Sequence, residues 1–188
     1  TGTLLIFDEI QSGFGRTGKM FAFEHYNVVP DVLLLAKGIG GGMPIGAFIS
    51  SAEIMSVLSH SPILGHMATF GGHPVCCAAG LATLNVLVDG NVIDEVEQKG
   101  QLFKDLLKHA AIKEIRGKGL MLAIEFNDFE TNKAIIDACI EDGIISDWFL
   151  HCSNSMRIAP PLIINEKEIT EACEIILKNI DLVTTKTN

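Results

Sequence analysis

Two residues of opposite charge, Asp8 and Lys37, each follow an apolar run near the start of the chain. Asp8 follows "TLLIF" and Lys37 follows "DVLLLA", and such runs are typical of buried parallel strands with function at their carboxyl ends. If both side chains face one crevice, the carboxylate can hold a proton on a ring nitrogen, and the amine can attack a carbonyl group. Pyridoxal phosphate (PLP) requires this pairing. Spacing alone leaves open that Asp8 is an ordinary strand end and Lys37 a solvated one.

The segment after Asp8 offers a competing interpretation. Its letters "GFGRTGKM" come within one residue of G-x-x-x-x-G-K-[ST], the phosphate-binding loop of nucleotide hydrolases. Met20 stands where that loop needs a hydroxyl to hold magnesium. The order is also wrong, because the acidic strand runs directly into the supposed loop. An ATPase is therefore the least favoured function.

The apolar patterns predict an α/β protein with two parts. In the first part, the strands "TLLIFDE", "DVLLLAKG" and "IGAFISS" precede a buried helix from Pro74 and an amphipathic helix in "VIDEVEQKGQLFKDLLKHA". In the second part, two strands around a Gly-x-Gly turn precede a helix closed by Gly143. Strand-like "IISDWFL" and "MRIAPPLII" follow. A final helix starts at a variant of the capping box formed by Asn165 and Glu168.

Composition excludes several classes of protein. The 188 residues carry a formal charge of −9 and contain no basic run, which argues against nucleic-acid or anionic-membrane partners. No apolar stretch reaches the roughly 20 residues of a membrane span. The five cysteines form no C-x-x-C pair, which argues against a disulfide framework or a zinc site and indicates a cytoplasmic protein. Cys139 and Cys173 fall in helical apolar patterns, where buried free thiols are usual.

Five motifs together carry a family resemblance. In order, they are "LLIFDEIQSGFGRTGKMFAFEH", "PDVLLLAKGIGGGMPIGAF", "TFGGHP", "IRGKGLMLAIEF" and "MRIAPPLIIN". In this order and spacing they resemble the C-terminal half of class III aminotransferases of PLP fold type I, closest to the ornithine and acetylornithine type. The resemblance implies the C-terminal part of a large, mostly parallel-sheet PLP-binding domain with a connecting helix over residues 1–110. It implies a small α/β domain over residues 111–188.

The resemblance also implies roles for single residues. Asp8 would pair with the pyridine nitrogen of PLP, and Gln11 would lie near the ring hydroxyl. Lys37 would form the Schiff base and shuttle the proton. Thr69 would contact the cofactor phosphate, usually from the neighbouring subunit of a homodimer. Arg157 would bind the substrate α-carboxylate, which a planar guanidinium suits.

Each of these motifs contains residues with a plainer interpretation. Glu9 could be catalytic, but the resemblance favours a supporting or structural carboxylate, and Arg16 is expected to be structural. The glycines at 40–42 could cradle phosphate but are better explained by close backbone approach. His66 and His73 flank "MATFGG" without a third metal ligand, so no metal site is predicted. Gln11 could instead cap a turn, and Arg157 could be a surface strand residue.

Two departures from the family pattern bear on function. The chain has about half the family's length and starts at the Asp8 strand, so we expect a fragment that is inactive alone. The stretch "GIISDWFLHCSNSMR" is longer than usual and places Asp147, Trp148 and Phe149 before Arg157. The amino donor therefore need not be ornithine or acetylornithine.

These residues favour a PLP-dependent aminotransferase. It would move an amino group from an amino acid or ω-amine to a 2-oxo acid, with 2-oxoglutarate implied by the family. Two alternatives stay open: an aminomutase of the same superfamily, and a non-catalytic assembly module. The presence of Asp8, Lys37 and Arg157 together argues against the module.

Overall fold

The chain folds as two compact units. A computed structural model describes residues 2–63 and 65–186, and the chain divides into residues 1–93 and 94–188. The domain boundary predicted from the sequence, between residues 110 and 111, separates the large and small domains of a complete family member. That boundary stays a prediction. In this chain, helix α3 (Val96–Leu106) contributes to the core of the second unit.

A three-stranded sheet organises the first unit. Strand β2 (Val32–Leu35) lies between β1 (Ile6–Asp8) and β3 (Ala47–Ser50). β1 runs parallel to β2, as predicted, whereas β3 runs antiparallel to β2. Among the described residues of this unit, the helices are α1 (Ala52–Ser56) and α2 (Pro74–Asp89), and 3-10 turns lie at Ala22–Tyr26, Lys37–Gly40 and Val57–Ser59.

The apolar side chains of the first unit are largely exposed, which corrects the prediction of buried strands and a buried helix. Phe14 and Leu35 are the buried apolar residues among those described in this unit. On α2, Leu81 is 60% exposed and Val88 is 62% exposed. Apolar composition predicts an element that can be buried, but it does not say whether this chain supplies the covering neighbour.

The second unit has an antiparallel sheet and one apolar core. Its strands follow the order β4 (Glu114–Lys118), β5 (Met121–Glu125), β7 (Cys152–Ile158) and β6 (Trp148–Phe149). Helices α3 and α4 (Phe129–Glu141) contact its strands β4 and β7, and α5 (Glu166–Lys186) packs against α3 and α4. The core joins the fully buried side chains of Phe103, Ile124, Ile135, Met156 and Ile176. This arrangement confirms the predicted mixed α/β unit.

Local hydrogen bonds explain where elements of the second unit begin and end. At the start of α5, the Asn165 side chain accepts the Glu168 N–H and the Glu168 carboxylate accepts the Asn165 N–H, both at 2.9 Å. The predicted capping box is thus confirmed. The strand predicted in "MRIAPPLII" ends at Ile158, because Pro160 and Pro161 have no N–H to donate to a sheet.

The cysteines follow the predicted pattern. All five are free thiols, and Cys139 and Cys173 are buried. Burial raises the pKa of the Cys139 thiol to about 11 and that of Cys173 to about 12. These two thiols therefore serve as small core residues. Separately, none of the helices in the described ranges is long and apolar enough to cross a bilayer.

Candidate active site

Asp8 and Lys37 lie at the carboxyl ends of two hydrogen-bonded parallel strands. Asp8 is in register with Leu34 of β2, and the Glu9 N–H continues the ladder by donating to the Leu34 carbonyl at 3.0 Å. Lys37 lies just after β2, two residues beyond its last residue, Leu35. Both side chains are exposed at this edge. The carboxylate and the amine therefore lie at the same edge of the sheet, and their joint role in binding a cofactor stays a prediction.

The Asp8 carboxylate is oriented by the chain immediately after it. Its Oδ1 accepts the N–H of Ile10 at 2.9 Å, an interaction that closes a turn at the end of β1. Lys37 forms no ion pair within the described residues. An oriented carboxylate and an unpaired amine are the two groups that PLP requires from a protein, so this donor set fits the cofactor.

Glu9 anchors the loop that follows Asp8. It is 2% exposed and accepts three hydrogen bonds, from Ser12 Oγ at 2.5 Å, the Ala22 N–H at 3.0 Å and the Phe23 N–H at 2.8 Å. These bonds tie the start of the loop to the 3-10 turn at its end. A carboxylate with this many partners is structural, in agreement with the interpretation from sequence.

The backbone at Lys37 adopts a conformation that is uncommon for a residue with a side chain. Its φ is 49°, in the left-handed region, and such a residue costs roughly 1–2 kcal/mol relative to the right-handed region. Phe14, which is buried, lies against the next residue, because a Cβ built on Gly38 would be 3.3 Å from Phe14 Cβ. Strained backbone that its surroundings hold in place is characteristic of functional sites.

Helix α2 packs directly on the glycine run after Lys37. A Cβ added to Gly41 would lie 2.1 Å from Thr83 Oγ1, and one added to Gly80 would lie 3.0 Å from the Ile39 carbonyl oxygen. Only glycine permits this approach. The run therefore lets a helix reach the turn that carries the lysine, which supports the predicted role in close backbone approach.

Gln11 and Thr69 lie on exposed turns. Gln11 belongs to the turn after β1. Thr69 belongs to the turn before α2, where the Gly71 N–H donates to the Ala68 carbonyl and the His73 N–H donates to the Phe70 carbonyl. The predicted cofactor contacts of Gln11 and Thr69 remain predictions.

Arg157 lies in the second unit and has an ion-pair partner that the sequence did not reveal. It is on β7, in register with Ala123 of β5. Its Nη2 donates to Asp147 Oδ2 at 2.6 Å, and both side chains are partly exposed. The unusually long stretch before Arg157, which contains Asp147, was the sequence feature that could have indicated this ion pair. The ion pair depends on strand register, however, and the sequence pattern did not specify that register. Binding of a substrate carboxylate by Arg157 stays a prediction.

His66, before the "TFGG" motif, has ordinary surroundings. His66 is exposed, with Nδ1 3.3 Å from the Leu58 carbonyl oxygen. Within the described ranges, no three His, Cys, Asp or Glu side chains come together in a way that could hold a metal ion.

Solved transaminases share this fold. An ornithine aminotransferase from Toxoplasma gondii, whose structure shows partial occupancy of PLP, matches with a TM-score of 0.87 at 38% identity, over 98% of this chain and 44% of that chain. A transaminase from the marine bacterium Virgibacillus matches with a TM-score of 0.91 at 30% identity, over 100% of this chain and 47% of that chain. Ornithine δ-aminotransferase from Plasmodium falciparum matches with a TM-score of 0.85 at 35% identity, over 97% of this chain and 47% of that chain. The fold is therefore part of the PLP-dependent transferase fold type I.

The family follows from the sequence. The family profile described as Aminotransferase class-III matches residues 1–180. The chain belongs to the class III aminotransferase family, which confirms the resemblance carried by its motifs. It spans less than half the length of the solved relatives named above.

Proposed function

We propose that the whole protein is a PLP-dependent aminotransferase that moves an amino group from an amino acid or ω-amine to a 2-oxo acid, with 2-oxoglutarate as the expected acceptor. The observation that carries this proposal is the placement of Asp8 and Lys37 at the ends of paired parallel strands. Family membership supports it independently.

Five residues would share the work. When bound, PLP supplies an electron sink for a substrate carbanion. Asp8 would hold the proton on the pyridine nitrogen, with Gln11 near the ring hydroxyl and Thr69 at the phosphate. Lys37 would hold the cofactor through its amine and move the proton at the substrate carbon. Arg157 would orient the substrate through its α-carboxylate.

The cellular setting is part of the same proposal. We expect a cytoplasmic homodimer in which residues 1–110 belong to the large domain and residues 111–188 form the small one. Residues 1–188 alone are expected to show little or no turnover. The exposed apolar side chains of β1, β3 and α2 support this expectation, because a large domain needs those faces buried for a stable core.

Amino transfer itself tests the function. Residues 1–188 and a longer polypeptide spanning the length of the relatives are each supplied with PLP, a panel of amino donors and 2-oxoglutarate, and glutamate is measured. We expect glutamate from the longer polypeptide and its loss in Lys37→Ala. Lys19→Ala, at an exposed lysine outside the strand ends, is the matched control. Turnover that survives Lys37→Ala would overturn the proposal, and donor rearrangement without consumption of the oxo acid would indicate an aminomutase.

A further inference from the structure

Arg157 is already engaged by a carboxylate of its own chain. Asp147 Oδ2 accepts a hydrogen bond from Arg157 Nη2 at 2.6 Å. The Asp147 backbone carbonyl also accepts the Arg157 N–H at 2.8 Å. A single residue therefore binds both the backbone and the guanidinium of the proposed substrate-binding arginine.

The surroundings hold Asp147 at this position. On one side, Ser146 Oγ donates to the Arg157 carbonyl at 2.6 Å. On the other, Trp148 is in register with Met156 of β7, and its ring packs edge-on against Phe129 with centroids 5.3 Å apart. The backbone of Asp147 is thus held on both sides, whereas its carboxylate can rotate about the side-chain bonds without breaking strand pairing.

The ion pair is only partly satisfied. Arg157 contacts one carboxylate oxygen of Asp147, and Asp147 Oδ1 is buried without a hydrogen-bond partner among the described residues. A guanidinium prefers two parallel bonds to one carboxylate, and an unpartnered buried oxygen is unfavourable. An incoming carboxylate that made both bonds would therefore compete well with Asp147.

We propose that Asp147 is a specificity-determining residue: its carboxylate occupies Arg157, and a carboxylate-bearing ligand binds there by displacing it. The proposal rests on the role assigned to Arg157 in the proposed function. Asp147 then lowers the affinity of Arg157 for carboxylates and leaves ligands without a carboxylate unaffected. The unusual stretch before Arg157 would in this way shift donor preference towards amines that lack a carboxylate.

Trp148 provides a direct readout, because it is the chain's only tryptophan and adjoins Asp147. The 188-residue chain is titrated with succinate at constant ionic strength, and tryptophan fluorescence is recorded. We expect Asp147→Asn to bind succinate about three- to tenfold more tightly than the wild type, as for loss of a competing, partly exposed charged hydrogen bond. Asp137→Asn removes the same charge from an exposed pair with Lys133 and is the matched control.

Further variants complete the test. Asp147→Ser should behave like Asp147→Asn and serves as a second variant if the amide disturbs folding, which a thermal melt would reveal. Arg157→Lys should weaken succinate binding, because an ammonium lacks the planar fork. Succinamide, the neutral analogue, should bind wild type and Asp147→Asn alike.

The outcomes separate two failures. Equal succinate affinity in wild type and Asp147→Asn, with loss in Arg157→Lys, would overturn the role of Asp147 and keep Arg157 as the carboxylate site. An equal gain in Asp137→Asn would also overturn it, because net charge would then be the cause. Succinate binding that ignores Arg157, or no binding at all, would overturn the inference together with the Arg157 assignment. The aminotransferase proposal would still be decided by Lys37 and amino transfer.

Discussion

Replacing Gly41 with alanine tests whether the packing of helix α2 fixes the turn that carries Lys37. The added Cβ would lie 2.1 Å from Thr83 Oγ1 and 3.2 Å from the Ala79 carbonyl oxygen. The φ of 55° at this residue adds a backbone cost of about 1–2 kcal/mol for alanine. Overpacking of this kind costs a further 1–3 kcal/mol or so. We expect α2 to move away from the Lys37–Gly40 turn.

Gly42→Ala separates the two costs. Gly42 has a φ of 95° but no atom within 4 Å of a built Cβ, so alanine there carries backbone strain without a clash. Hydrogen exchange of the α2 amides, read by peptide mass, should be about 5- to 150-fold faster in Gly41→Ala than in Gly42→Ala, since 1.4 kcal/mol is tenfold. Adding Thr83→Ala to Gly41→Ala should restore most of the protection. Equal exchange in the two glycine variants would refute the packing argument.

Two further predictions concern the second unit. Gly100→Ala should destabilise it by about 1–3 kcal/mol in urea unfolding, because the Cβ would lie 2.0 Å from the Gly119 carbonyl oxygen; an unobstructed helix position would gain stability from the same change. A hydrogen bond from Lys178 lowers the pKa of the Asp142 carboxyl, so Asp142 contributes stability above its unfolded pKa of about 3.9, and this is lost as pH falls through the lower folded pKa. Acid unfolding of Asp142→Asn should therefore depend less on pH below about pH 4, and an unchanged acid slope would contradict this.

Features set by short-range sequence were predictable. The apolar runs ending at Asp8 and Lys37 predicted two neighbouring strands, because continuous apolar runs are typical of strands in a parallel sheet. The Asn165 capping box was predictable because its two partners lie within one helical turn. The family motifs extended these local inferences to the architecture.

Features set by long-range neighbours were not predictable in the same way. The apolar composition of α2 predicted that residues such as Leu81 are buried. Their actual exposure depends on which segments lie against the helix. The Arg157–Asp147 pair depends on the register between β6 and β7, and β6 has only two residues. Strand β3 runs antiparallel to β2, and its short apolar run did not indicate in which direction it would pair.

Covalent trapping of PLP tests the central claim most directly. The 188-residue chain is mixed with PLP, reduced with borohydride, and digested so that peptide masses locate the pyridoxyl group. We predict that the pyridoxyl label is concentrated at Lys37, far above the amount at Lys19, an exposed lysine in the loop after β1. Labelling of Lys37 should be lower in Asp8→Asn. Label spread evenly over surface lysines, or absent from Lys37, would contradict a cofactor site at the ends of β1 and β2.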